Sequence, residues 1–216
     1  MTFQERLTIA FKLFEEQKLD ESLTCYQELL SENLSIDEEI NVRLGYGYPL
    51  SKSGLTEEAV ENYLLLKNLG EETSNLDIVS QSLHQLGMVY RHANRYGKAL
   101  KMFNKERDFI KLHFNTHSLY KAANYYEIGY MNLQIKNYKN AINFLSKSLE
   151  EAFKSGDSIM IACSQRGLGE YYANIEEIPV ALDYFTESIH SFKNASDELG
   201  TLEVKKLIYE LKRLHN

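Results

Sequence analysis

Apolar residues recur at three- and four-residue spacing along almost the whole chain, which is the pattern of amphipathic α-helices. Only two prolines and eleven glycines interrupt this pattern, and we identify no strand. The sequence therefore predicts an all-α protein. We expect its helices at residues 3–17 and 20–33, 36–52 and 56–69, 75–94 and 96–113, 117–136 and 138–155, 158–175 and 179–195, and 197–214.

A short motif recurs within this helical pattern at nearly constant spacing. A glycine preceded by Leu or Ile occurs at Gly87, Gly129 and Gly169, which lie 42 and 40 residues apart. The segments that follow carry alanines at a matching spacing, namely Ala59, Ala99, Ala141 and Ala181. A period of this length is typical of an array of helical hairpins. Small residues at these positions let the two helices of each hairpin cross closely.

The motifs resemble the tetratricopeptide repeat (TPR) family over about residues 3–195. The resemblance implies a right-handed superhelix, or α-solenoid, of about five hairpins that forms a single domain over residues 1–216. Its repeats would span residues 3–34, 36–70, 75–114, 117–156 and 158–195, followed by a capping helix at 197–214. The period of 40 to 42 residues exceeds the usual value of about 34. It is similar to that of the TPR domains of bacterial Rap-type peptide-sensing regulators.

Helix boundaries are marked by capping residues and by glycine or proline. Ser35 and Glu38 have the spacing of a capping box. The other expected boundary residues are the N-terminal caps Asp157 or Ser196, the first-turn residue Pro179, and the C-terminal stops Gly70 and Gly156.

The second repeat departs from the motif, because it reads Leu-Gly-Tyr-Gly-Tyr-Pro-Leu over residues 44–50. Either Gly45 or Gly47 could be the glycine of this repeat. Pro49 removes one backbone hydrogen bond from the helix and favours a kink. Two interpretations remain open: a tolerated irregularity in one repeat, or a bend near Tyr48 that shapes a binding groove.

The resemblance places the binding residues on the first helices of the hairpins, which line the concave groove of a TPR array. One step around each helix from the packing residues lie Tyr48, Lys52, His84, Met88, Arg91, His92, Tyr126, Tyr130, Leu133, Gln134, Arg166, Glu170 and Asn174. Aromatic rings mixed with polar side chains suit an extended or helical peptide. We interpret His84 and His92 as recognition residues rather than an acid–base pair, since no carboxylate partner is evident. An alternative is that these are ordinary surface residues.

Charge and composition narrow the choice of partners. The net charge of −7 disfavours nucleic acid, whose binding requires a basic surface. Charge is unevenly distributed: residues 1–40 carry ten acidic side chains, whereas residues 91–121 carry eight basic ones against two acidic ones. The basic stretch is either a solvated helix face or a docking site for an acidic partner. No segment has the roughly 20 apolar residues of a membrane span, and no secretory signal precedes the repeats, so we expect a cytoplasmic protein without a membrane partner.

Motifs for catalysis, metals or cofactors are not found in the sequence. It contains no phosphate-binding loop, nucleophile elbow or H-E-x-x-H pair, so we expect no enzymatic activity. His113 and His117 have i, i+4 spacing but no third ligand nearby, which disfavours a metal site. Cys25 and Cys163 are far apart and are interpreted as small packing residues. We expect neither a metal nor a cofactor.

Together these features predict a non-catalytic scaffold or adaptor that binds a protein or peptide in the concave groove. One alternative is a stand-alone peptide-sensing regulator resembling the Rap-type group. Another is a structural module that oligomerises through its terminal or convex faces, so that the protein is a monomer or a homodimer. The apolar side chains for such a contact would come from the last helix or the first hairpin: Val204, Leu207, Ile208, Leu211 and Leu214, or Phe3, Leu7, Phe11 and Phe14.

Overall fold

The computed structural model of the protein describes residues 1–215, with side chains up to Leu214. Over this range the chain forms eleven α-helices and no strand, which confirms the predicted all-α fold of five hairpins and a final helix. The helices are α1 (Phe3–Glu15), α2 (Leu19–Leu30), α3 (Ile36–Lys52), α4 (Thr56–Glu72), α5 (Leu76–His92), α6 (Tyr96–His113), α7 (Ser118–Gln134), α8 (Tyr138–Ser155), α9 (Ser158–Asn174), α10 (Ile178–Asn194) and α11 (Glu198–His215).

Most predicted boundary residues take the expected roles. The Ser35 hydroxyl accepts a hydrogen bond from the Glu38 N–H, and the Glu38 carboxylate accepts one from the Ser35 N–H, so the capping box forms. Gly156 ends α8 with a φ of 72°, a left-handed conformation that favours glycine. Asp157 caps α9 by accepting from the Met160 N–H at 2.7 Å. Pro179 lies in the first turn of α10, as predicted.

Two predicted boundaries are wrong. Gly70 does not end α4, which continues to Glu72. Gly70 is buried, and a Cβ there would lie about 3.0 Å from Ile78 and 3.1 Å from Val79, so this glycine permits close packing of α5 on α4. Ser196 does not cap α11; instead Asp197 accepts a hydrogen bond from the Gly200 N–H at 2.8 Å.

Packing also identifies the glycine of the irregular second repeat. A Cβ at Gly47 would lie 2.1 Å from the ring of Tyr63, on the second helix of the same hairpin. Gly47 therefore takes the place that Gly87 takes against Phe103, whereas Gly45 faces Tyr26 of the first hairpin. The helix α3 continues through Pro49 to Lys52. A functional bend near Tyr48 stays a prediction.

The helices group into two compact units, Met1–Glu106 (unit 1) and Arg107–Asn216 (unit 2), with the boundary inside α6. In unit 1, Tyr26 and Leu29 belong to one apolar cluster and Tyr63 and Leu66 to another. In unit 2, Leu145 belongs to a cluster between α7, α8 and α9, and a further cluster links α9, α10 and α11. The single-domain solenoid over residues 1–216 stays a prediction.

The last helix packs onto the fifth hairpin. Val204 and Leu211 are buried in the same cluster as Phe192 of α10, while Leu207 and Ile208 are half-buried against it. This arrangement agrees with the predicted capping role. Leu214, by contrast, is largely exposed and does not join the cluster.

Two expectations, on the cysteines and on membrane-spanning segments, can be compared with the structure. Cys25 and Cys163 are both free and half-buried, and each packs against an apolar cluster, as predicted. Among the described helices, none combines the length and the apolar character that a bilayer crossing requires.

Candidate functional site

Three aromatic rings and a methionine lie on the first helices of the three hairpins in unit 1. The helix α3 contacts α1 on one side and α5 on the other. The Phe14 ring lies 5.9 Å from the ring of Phe11 and stacks at 5.9 Å on the ring of Tyr48. Met88 occupies the position of Tyr48 one repeat later, 40 residues along the chain. We call Phe11, Phe14, Tyr48 and Met88 the unit 1 face; Phe11 is 41% exposed and the others are half-buried.

Polar side chains border the unit 1 face. The Gln85 amide donates to the Tyr48 hydroxyl at 3.4 Å, and Arg91 approaches the Met88 sulfur at 3.9 Å. His92 Nδ1 lies 3.2 Å from the Ser51 hydroxyl.

Desolvation of the ring, together with the charges of Arg91 and Lys52, lowers the pKa of His92 below its ordinary value. His92 is therefore neutral at pH 7, and its imidazole serves as a hydrogen-bonding group rather than a cation. Lys52 is exposed at the end of α3, as a binding residue must be.

His84 has a carboxylate partner, which corrects the sequence-based expectation. Its Nδ1 lies 3.1 and 3.2 Å from the two carboxylate oxygens of Glu106, and its ring packs against Phe103. Glu106 is only 4% exposed, so the pair lies mainly in the interior of the hairpin. A buried carboxylate requires such a partner, because an isolated buried charge is costly. We therefore assign His84 to the structure of the third hairpin.

Comparison of the repeats in the sequence could have predicted the pair of His84 and Glu106. Glu106 occupies the position of Ser148 and Ser188 in the next two repeats. Both serines are buried and donate at 2.8 Å to carbonyls of the first helix in their own hairpins, those of Ala122 and Ala162. An acidic residue at a position that otherwise holds a small buried hydroxyl indicates that the first helix must supply a polar partner.

In unit 2, two of the predicted groove residues are buried. Tyr126 is 5% exposed, and its hydroxyl accepts a hydrogen bond from Arg166 at 3.1 Å. Burial raises the pKa of Tyr126, so the phenol stays protonated. Arg166 also contacts the carboxylates of Glu203 at 2.9 Å and Glu170 at 3.7 Å. Leu133 is 3% exposed. The predictions that Tyr126 and Leu133 line an open groove are therefore wrong, since neither side chain presents an open surface.

The remaining residues form a polar surface on α7 and α9. Tyr130 is half-buried and stacks on Tyr126 at 6.0 Å. Gln134 and Glu170 are half-buried, whereas Asn174 is exposed and donates to the Glu170 carbonyl at 2.9 Å. This surface offers a single aromatic ring, so it provides less apolar area than the unit 1 face.

No group of three or more His, Cys, Asp or Glu side chains suited to a metal ion occurs in the described part of the chain. The two histidines with helical spacing make ring contacts instead. The His113 ring lies 4.4 Å from the ring of Phe109, and His117 stacks on Tyr120 at 5.0 Å.

Comparison with known proteins shows what the fold resembles. No family model matches the chain. The chain is 23% identical over 177 residues to outer dynein arm-docking complex subunit 4 from Danio rerio; the match covers 79% of this chain and spans only 34% of that relative.

Among the solved structures that resemble this chain are two that cover most of it. The apo form of RapI has a TM-score of 0.67 at 16% identity, covering 97% of this chain and 84% of its own. The TPR-like repeats of a kinesin light chain from Podosopora anserina have a TM-score of 0.66 at 13% identity, covering 89% and 95%. The fold is therefore of the TPR class and resembles that of the Rap-type regulators, as predicted.

Proposed function

We propose that this protein is a non-catalytic scaffold that binds a segment of another protein on the unit 1 face. The observation that carries the proposal is the row of Phe11, Phe14 and Tyr48 in ring contact, with Met88 at the Tyr48 position of the next first helix. The similarity to TPR-type structures and to a docking-complex subunit supports a role in protein binding.

The chemistry of this row suits a peptide. Aromatic rings and methionine supply apolar contact area, and partly exposed side chains of this kind are typical anchors for a partner. The bordering Gln85, Ser51 and His92 offer donors and acceptors for a peptide backbone. An apolar strip with polar borders is the surface on which an amphipathic helix docks. We therefore infer an amphipathic or extended segment as the ligand.

The polar surface of Tyr130, Gln134, Glu170 and Asn174 is proposed as a secondary contact region. Its hydrogen-bonding side chains suit specificity more than affinity. A peptide-sensing role in the cytoplasm, by analogy with the Rap-type group, is the finer form of this proposal, and the resemblance in fold supports it.

Replacing Phe11 and Met88 with alanine is expected to weaken peptide binding by about tenfold or more, because anchor side chains contribute over about 1 kcal/mol each. The ligands would be selected from a random peptide library displayed against the full chain. Affinities of the selected peptides for the native chain and the variant are then measured by calorimetry.

The matched control is Leu64→Ala with Leu65→Ala, on the second helix α4 of the same unit. These leucines are 46% and 41% exposed, so the control removes similar apolar area from a different surface. It is expected to bind the selected peptides as the native chain does. Equal binding by the Phe11→Ala, Met88→Ala variant, with its helical circular dichroism unchanged, would refute the proposal.

Self-association is a second candidate function, favoured by the outer side of α11. Leu199, Leu202 and Tyr209 are 68%, 50% and 67% exposed, and apolar side chains of this kind favour contact with a partner. A homodimer through this surface would raise the mass measured by light scattering as concentration increases. The variant Leu199→Ser with Tyr209→Ser is then expected to remain monomeric, whereas a native chain that is monomeric at all concentrations excludes this function.

A further inference from the structure

A cavity in unit 2 combines positive charge with a half-buried carboxylate, that of Glu151. It has a volume of about 210 Å³ and lies between the end of α6, the beginning of α7 and the end of α8. Arg107, Lys111 and Lys121 line it, together with Glu151 and the ring of Tyr125. Three cations against one carboxylate make this cavity basic in a chain whose net charge is −7.

The cationic side chains of Arg107, Lys111 and Lys121 can still bind an anion. Arg107 contacts only the carboxylate of Asp108 among the ion pairs of the described residues, and Asp108 is largely exposed to water. Lys111, which also lines the cavity, is exposed. Lys121 lies 4.0 Å from Glu151, a distance at which the contact is electrostatic rather than a hydrogen bond.

Glu151, in contrast, needs a hydrogen-bond donor. Lys154 donates to one of its oxygens at 2.9 Å, while the other oxygen, Oε2, is buried without a hydrogen-bond partner among the described residues. Burial alone would raise the pKa of Glu151, but its interactions with Lys154, Ser118 and Lys121 lower it overall. Glu151 is thus ionised at neutral pH, and its Oε2, which lies 4.0 Å from the Lys121 ammonium, can still accept a hydrogen bond.

We propose that this cavity binds an acidic side chain of a partner peptide, with Arg107 and Lys111 holding the carboxylate and Glu151 Oε2 accepting a main-chain N–H of the same peptide. A free anion would be repelled by the negative charge of Glu151. A peptide supplies both a carboxylate for the cations and a main-chain N–H for Glu151. The volume is below the roughly 300–1,000 Å³ of small-molecule sites, which favours a group the size of one side chain.

This inference does not rest on the unit 1 face, because the cavity lies in the other unit and uses different side chains. It also gives a definite role to part of the basic stretch at residues 91–121, which the sequence alone leaves open between a solvated face and a docking site for an acidic partner.

The test is a nuclear magnetic resonance titration of the nitrogen-15-labelled full chain with capped peptides. The probe Ala-Glu-Ala is expected to shift the amide signals of residues 121–125 and 151 in a saturable manner. Ala-Gln-Ala and sodium acetate are expected to bind several-fold more weakly. The variant Arg107→Gln with Lys111→Gln is expected to weaken Ala-Glu-Ala binding about tenfold, since it removes both charges that hold the carboxylate.

Lys139→Gln is the matched control, because Lys139 is an exposed lysine of α8 outside the cavity, and it is expected to leave binding unchanged. Binding of Ala-Gln-Ala at the same strength as Ala-Glu-Ala overturns the role of the acidic side chain. If acetate binds as tightly as Ala-Glu-Ala, the cavity is a simple anion site and the proposal that its ligand is a peptide is overturned. Native-like binding by the double variant, or shifts confined to other residues, overturns the site itself.

Discussion

Replacing Phe185 with alanine is expected to lower the free energy of unfolding by about 3–5 kcal/mol, the usual loss for a buried phenylalanine. Phe185 is 2% exposed in the cluster that joins α9, α10 and α11. Its ring packs directly over Gly169, where a Cβ would come within 2.6 Å of the ring. Truncation leaves a cavity in this cluster that the close-packed side chains around it can fill only in part. Urea denaturation followed by far-ultraviolet circular dichroism measures the loss.

The control is Phe153→Ala on α8. Phe153 is 59% exposed, so its truncation is expected to change the free energy of unfolding by less than about 0.5 kcal/mol. A similar loss in the two variants would contradict the assignment of Phe185 to the core of the fifth hairpin.

Hairpin packing could be predicted from the sequence because the same small residues recur at a fixed spacing. Gly169 lies against Phe185 as Gly87 lies against Phe103, so the same contact recurs in the third and fifth hairpins. The motif is informative because a close helix crossing excludes any side chain at the glycine. The second repeat shows where this information ends, since only the contact between Gly47 and Tyr63 distinguishes Gly47 from Gly45.

Candidate binding residues were harder to predict, because one repeat position serves different purposes in successive hairpins. His84, Tyr126 and Arg166 occupy the same position. His84 pairs with Glu106, whereas Tyr126 and Arg166 hydrogen-bond to each other across neighbouring repeats. Helical periodicity shows on which side of a helix a residue lies. It does not reveal a partner 22 or 40 residues away, and that partner decides whether the side chain is exposed or buried.

Gly70 shows how a local rule is overridden by packing. Glycine near the expected end of a helix is usually a C-terminal stop. Here the following helix approaches so closely at Ile78 and Val79 that the glycine is needed inside α4. Sequence signals for helix ends therefore compete with signals for helix crossings, and only the three-dimensional contact decides between them.

Replacing Gly129 with valine is expected to lower the free energy of unfolding by about 3 kcal/mol, at the upper end of the cost of overpacking. A Cβ at Gly129 would lie 2.8 Å from Leu145 Cγ and 2.9 Å from the Leu145 backbone nitrogen. The side chain could rotate away, but the backbone of α8 can only move with the whole helix. Separating α7 from α8 would in turn expose Leu145, which is fully buried in the native hairpin.

Gly97→Val provides the comparison, since a Cβ at Gly97 meets nothing within 4 Å and the residue is exposed in the first turn of α6. Valine has a somewhat higher helix propensity than glycine, so this variant is expected to be as stable as the native chain or slightly more stable. Both variants are compared with the native chain by urea denaturation and by hydrogen exchange of the α7 amides. If Gly129→Val retains native stability and native protection of α7, then the close crossing of α7 and α8 is not what requires glycine at this position.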